Sequence, residues 1–358
     1  GCPPRQLAEK IVAALGELEG VTQIEIAGPG FINFHLASDT QTAVVQTVLD
    51  AGEAFGQSDI GKGQKVHLEY VSANPTGPLH VGHGRGAAYG SCLASVLKFA
   101  GFEVHSEYYV NDAGRQMDIL AVSVWLRYLD LCGVVLPFPT NAYQGDYIID
   151  IAKTLHDQQG ASLMHDADTV QADLPQDAPE GDKEVYIDAV IAKAKALLGE
   201  GYQFVHDLVT QTILGDIRED LAEFGTTYDE WFSERSLFDT GAIDHALTRL
   251  KDSGYTYEKE GSLWLKTTEF DDDKDRVLVR ADGRPTYFAS DAAYLLNKFD
   301  RGFDQAICMF GADHHGYIAR LRALLSIYQI DQTRFKAQIV QFAVLYKGDE
   351  LLGGGVIY

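Results

Sequence analysis

The stretch that decides the fold is residues 65–110, "KVHLEYVSANPTGPLHVGHGRGAAYGSCLASVLKFAGFEVHSEYYV". It opens on an apolar run, KVHLEYV (65–71), that reads as a buried strand. A turn rich in Gly and Pro follows, then a small-residue helix, VGHGRGAAYGSCLASVLKFAG (81–101), and a second strand, FEVHSEYYV (102–110). Strand, glycine-bearing turn, helix and strand within about 45 residues make a βαβ unit, whose crossover is expected to be right-handed in a parallel sheet. In such sheets ligands sit at the carboxyl ends of the strands, where helix N-termini offer unpaired N–H groups to anions.

Working outward, a helix over RQMDILAVSVWLRYLDL (115–131) continues the alternation. From 139 to 285 the rhythm changes to helices, an acidic loop and a Gly-punctuated β-ribbon. Helix DAAYLLNKF (291–299), strand QAICMFG (305–311), a helix over 314–328 and strand AQIVQFAVLY (337–346) then restore it. The predicted fold class is α/β: a doubly wound, Rossmann-like parallel sheet in two halves, 61–138 and 286–358, split by an insertion over 139–285. A small α+β domain over 1–60 precedes it. There PPRQLAEKIVAAL (3–15) has helical spacing, GVTQIEIAGPGFINFHL (20–36) reads as two strands around a Gly-Pro-Gly turn, and Ser38 or Asp39 is the expected N-cap of the next helix.

The chain has 358 residues, room for two or three domains, and a net charge of −23. That balance argues against general affinity for nucleic acid, because phosphate contacts need Lys and Arg. Much of the acid lies in 165–184 and 269–275, however, so a specific, shape-read RNA partner stays open. No apolar run approaches the roughly 18 residues of a membrane span, and no signal peptide opens the chain. Four scattered cysteines without a Cys-x-x-Cys pair fit a reduced, cytoplasmic protein.

His80 and His83 stand on the turn into the first helix, with Gly82 and Gly84 interleaved. Two imidazoles there can donate hydrogen bonds to phosphate oxygens, and more strongly as a phosphoryl centre gains charge. Gly82 leaves room for a nucleotide to lie against the backbone. An inert turn is the plain alternative. A zinc site that adds His314 and His315 is another, but no carboxylate or cysteine is spaced with them, so no metal ligand is predicted.

HVGH resembles the His-Ile-Gly-His signature of class I aminoacyl-tRNA synthetases, and LEYVSANPTGPLHVGHGRGAAYG (68–90) resembles arginyl-tRNA synthetases closely. GPGFINFHL, YVNDAGRQM and MFGADHHGYIARL agree, so that the resemblance runs from about residue 3 to 347. It implies ATP, with Mg2+, and L-arginine as substrates of an adenylate-forming step, followed by transfer to the 2′-hydroxyl at the end of tRNA(Arg). His80 and His83, with Gly82 and Gly84, would then hold ATP. The resemblance puts Glu234, Tyr287 and Asp291 in the arginine pocket, Asn74 on the α-amino group, Glu69 at a further pocket position, and Asp313 or His314 near the amino group. Carboxylates suit a guanidinium, which is planar, permanently charged and bound by forked hydrogen bonds. Without the resemblance, Glu234 reads as a surface carboxylate, Asp291 as an N-cap and Tyr287 as a core-edge aromatic. Phe31 and Asn33 match positions that recognise a D-loop base of the tRNA, though Phe31, Ile32 and Phe34 could equally be strand core and edge.

Two departures qualify the implication. After FAVLYKGDE the sequence runs LLGGGVIY, without the Lys-Met-Ser-Lys-Ser-like loop of the class and without an anticodon-binding domain, and no lysine stands just upstream of His80. The amino-terminal domain also opens partway into its pattern. The expectation is therefore a monomeric chain with no membrane partner that binds arginine and ATP but charges tRNA poorly. The rivals are a nucleotidylyltransferase and a non-catalytic arginine- or RNA-binding module.

Overall fold

In the computed structural model the described residues are 2–311, 315–347 and 350–357; side chains are described for these except 38–41, 315, 341–347 and 350–357. The chain forms two compact units, Gly1–Asp59 and Ile60–Tyr358. In the first, helix α1 (Pro4–Leu15) has Pro4 in its opening turn, where a missing N–H costs nothing. Strands β1 (Val21–Ala27) and β2 (Phe31–Leu36) pair antiparallel across the turn at Gly28–Gly30. A Cβ on Gly30 would lie 2.8 Å from the Pro4 backbone, so only glycine fits there. In helix α2 (Ser38–Ala51) the N-cap position falls on Ala37, which is still extended, rather than on Ser38 or Asp39.

The second unit begins with β3 (Lys65–Glu69), α3 (Val81–Phe99), β4 (Glu103–Val110) and α4 (Arg115–Leu131), close to the spans that the periodicity predicts. A helical block follows: α5 (Asp146–Gln159), α6 (Ala167–Gln171), α7 (Lys183–Leu198) and α8 (Glu200–Glu223). It packs around α4, whose Trp125, Tyr128 and Leu129 are fully enclosed. Next come β5 (Glu230–Ser233), α9 (Arg235–Asp239), α10 (Ala242–Asp252) and the antiparallel ribbon β6 (Thr256–Lys259), β7 (Ser262–Leu265) and β8 (Arg276–Val279). The unit ends with α11 (Tyr287–Asp300), β9 (Gln305–Phe310), α12 (His315–Ile327), β10 (Phe335–Ile339), β11 (Gln341–Lys347) and β12 (Glu350–Ile357).

The central sheet is parallel with order β10-β9-β3-β4-β5. Strand order reverses between β3 and β9, which makes their carboxyl ends the expected ligand crevice. Two sequence readings need correction. The stretch 139–285 is not one insertion, because β5 within it returns to pair with β4, so the additions are separate excursions on either side of β5. The strand read over 337–346 breaks after Ile339: β10 pairs with β9 up to Ile339 beside Phe310, where β9 ends, and the chain from Gln341 pairs as β11 with β12 instead.

Parallel strands covered on both faces usually read as continuous apolar runs. Here Val66, Leu68 and Tyr70 pack with Ala94 of α3, and Gly90 lets that helix come so close that a Cβ would lie 2.2 Å from the Tyr70 ring. The opposite face carries His67, Glu69, His105 and Glu107, and α11 covers them with polar groups of its own.

Candidate active site

The crevice starts where β3 leaves the sheet. Val71 and Ser72 both take positive φ (68° and 43°), a conformation costly for a β-branched residue, and the chain swings outward into the Asn74–Leu79 loop. Ser72 Oγ accepts from the Tyr109 N–H at 3.1 Å and donates to Glu69 Oε1 at 3.3 Å, tying the kink to the ends of β3 and β4.

His80 occupies the N-cap of α3. Its Nδ1 accepts from the Gly82 N–H at 3.1 Å, while His83 Nδ1 accepts from the His80 N–H at 3.2 Å, a reciprocal capping box built from imidazoles. The rings stack with centroids 3.7 Å apart. Because each Nδ1 is an acceptor, each neutral ring carries its proton on Nε2, which leaves two N–H donors that the cap does not use. Burial, and then His80, lower the pKa of His83 and favour the neutral form. Gly82 is needed for this geometry, since a Cβ would lie 2.9 Å from the His80 ring, whereas the Cβ position of Gly84 faces open space.

Across the sheet, Cys308, Glu69, Glu107 and Glu230 form one row on neighbouring strands. Two residues of α11 and its C-cap answer it at helical spacing: Tyr294 donates to Glu107, Lys298 pairs with Glu69, and Arg301 holds Glu107 at 2.7 Å and Glu230 at 2.6 Å. His105, Glu107 and Glu230 lie close enough together to suggest a metal, but the Arg301 guanidinium already fills that position.

Glu69, Lys298, Cys308, Tyr109, Tyr317 and Asp291 line a cavity of about 80 Å3 at the switch point. Beside it, Glu234, Tyr287, Arg280 and Arg284 line a more open recess of about 250 Å3. Two of these acids, Glu234 and Asp291, are shifted upward. Burial pushes Glu234 up to about 7, helped by repulsion from Asp291 and Asp112 and opposed by a hydrogen bond from Tyr109. Burial likewise pushes Asp291 up to about 6, against the pull of Tyr317 and Arg320. Among the described residues neither takes part in an ion pair.

Of the sequence-predicted positions, Glu69 and Asp291 thus share one cavity, and Glu234 and Tyr287 share the adjoining recess. Asp291 is not an N-cap: α11 starts a turn earlier, with the Thr286 side chain accepting from the Ala289 N–H. Tyr287 is no core-edge aromatic, being 61 % exposed. Asn74 lines neither space and donates to Gln116 Oε1 at 2.9 Å. Asp313 and His314 lie outside the described residues. Sequence reasoning missed Tyr109, Lys298 and Cys308; a lysine on the same helical face as Asp291 and Leu295 was the available signal. In the first unit, Phe31 and Asn33 are both exposed on one face of β2.

The chain is similar to known proteins. The family model of class I (R) tRNA synthetase catalytic domains matches residues 44–130, and that of the arginyl tRNA synthetase N-terminal domain matches residues 1–36. The arginine–tRNA ligase of Thioalkalivibrio sulfidiphilus is 57 % identical over 97 % of this chain and 60 % of its own length. That of Legionella pneumophila strain Paris is 53 % identical over 97 % of this chain and 59 % of its own. The chain therefore spans about three fifths of these relatives. The Thermus thermophilus arginyl-tRNA synthetase structure shares the fold, with a TM-score of 0.59 at 20 % identity, over 95 % of this chain and 57 % of that one.

Proposed function

Because this chain belongs to the class I arginyl-tRNA synthetase family over the part of those proteins that it spans, we propose that it binds L-arginine and ATP and joins them as arginyl-adenylate. One observation carries the reading: burial holds two acids beside the crevice, Glu234 and Asp291, toward their protonated forms, Asp291 even against the pull of Arg320. A guanidinium placed between them would favour both ionised carboxylates and donate forked hydrogen bonds to them. Tyr287 would close over the side chain, and Asn74, oriented by Gln116, would receive the α-amino group. Glu69 would act through its pairing with Lys298.

ATP, taken as its Mg2+ complex, would lie along the start of α3. The arginine carboxylate oxygen forms a bond to the α-phosphorus as the bond to the pyrophosphate oxygen breaks. The Nε2–H groups of His80 and His83 donate to the phosphate oxygens and hold them more tightly as their charge grows. The second step, transfer of arginine to the 2′-hydroxyl of the terminal adenosine of tRNA(Arg) in the cytoplasm, is proposed on family grounds. Phe31 and Asn33 would meet the tRNA elbow, one by stacking and one by reading a base edge. A nucleotidylyltransferase would have no use for two buried acids with raised pKa values.

Calorimetric titration with L-arginine, against lysine and citrulline, tests the reading. Arginine is expected to bind and both controls to fail, since citrulline keeps the shape without the charge. Equal binding of citrulline would remove the carboxylates from the explanation.

A further inference from the structure

Lys298 is 2 % exposed and its charge sits inside the protein. Its Nζ pairs with Glu69 Oε2, lies 3.5 Å from Cys308 Sγ and stands 3.7 Å from the centroid of the Tyr294 ring. A carboxylate, a soft sulfur and an aromatic face are together what a compact ammonium needs once it leaves water. Lys298 and Glu69 line the same cavity as Asp291. Burying such a pair stabilises a fold little, and a well-packed apolar side chain would often serve the core as well.

We propose that Lys298 is a specificity-determining residue, whose ammonium fills from within the place beside Glu69 that a substrate ammonium would otherwise take. This rests on the reading of the cavity as an arginine pocket. With Lys298 in position, Glu69 is already neutralised. The acids left to a ligand are Asp291, on α11, and Glu234, at the start of α9. A flat guanidinium with donors along several edges can reach two separate acids, whereas an ammonium concentrates its charge at one point. Rejection of lysine is thus built into the wall of the pocket rather than left to its size.

The test is calorimetry on the full chain, with L-arginine and L-lysine titrated into wild type, Lys298→Met and the double variant Glu69→Gln/Lys298→Met. In Lys298→Met the freed Glu69 should accept lysine, raising the lysine-to-arginine affinity ratio about tenfold or more, equivalent to about 1.4 kcal/mol. The double variant, which has no free carboxylate there, should return toward the wild-type ratio. A merely structural role would weaken both ligands together and leave the ratio alone, and that result would overturn the proposal. Lys298→Gln, which keeps a donor to Glu69, is the second variant should the methionine fail to fold, and the same change of ratio is expected of it. Wild type that binds no arginine would overturn the pocket reading and this inference together. Wild type that binds arginine, with unchanged ratios in the variants, would overturn this inference alone.

Discussion

A carboxyl group that keeps its proton close to neutral pH marks a place where burial outweighs the groups that would favour its charge. Glu234 and Asp291 are two such groups, and the consequence is measurable in stability as well as in binding. In the unfolded chain both acids ionise near their ordinary values, whereas in the folded chain they hold protons until about 6 for Asp291 and about 7 for Glu234. Their contribution to stability therefore falls as pH rises from about 4 to 7 and stays low above that window. Arginine, which pairs with the ionised forms, should raise the melting temperature more at pH 8 than at pH 5.5. A thermal shift of the same size at both would contradict the assignment. Asp291→Asn should weaken arginine binding by about a hundredfold, the scale of a lost charged hydrogen-bond pair, while melting no lower than wild type at pH 8. Titration and melting of that one variant separate the two effects. Legibility at this scale was uneven. The acids were identifiable only through the resemblance, because an isolated Glu or Asp has no pattern. Lys298 was missed because a lysine near a helix end reads as solvated unless its face is traced back to Leu295 and Asp291.

At the scale of elements, α3 joins chemistry to architecture. Its amino end is capped by the same imidazoles that face outward, so His80→Ala should cost about 1 kcal/mol of stability through the lost cap. The same change should reduce ATP affinity about tenfold through the lost phosphate donor. Chemical denaturation reads the first and nucleotide titration the second; unchanged ATP affinity would leave His80 as a cap alone. Farther along, Gly90→Ala pushes a methyl group into the Tyr70 ring and should destabilise by about 1–3 kcal/mol, seen as a lower denaturation midpoint. The βαβ unit was legible because its strands and helix are long enough to show a period. β5 was not: Glu230–Ser233 is too short for alternation to register, and its place in the sheet depends on β4 rather than on its own sequence. The end of β10 was misread for a related reason, since an apolar run cannot show where its partner strand stops.

For the molecule as a whole, every described pocket residue lies in the unit Ile60–Tyr358. That unit expressed alone should bind arginine with the affinity of the full chain, and calorimetry on the two would show a discrepancy at once. The class of fold was legible from alternation alone, but not the way in which two excursions flank β5, because composition carries no record of which strands meet. One meeting matters more than the rest. β3 and β9 are neighbours in the sheet, yet Lys65 and Asp304, bonded where the two strands begin, are 239 positions apart. Contacts between such distant segments are slow to form, since a long loop must close before they give any return. As the chain leaves the ribosome, the histidine turn emerges early and the strand that walls off the other side of the crevice emerges late. A nascent chain would thus carry the histidine turn long before the crevice has its second wall, and under the function proposed above adenylate chemistry would begin only when synthesis of the sheet is nearly done.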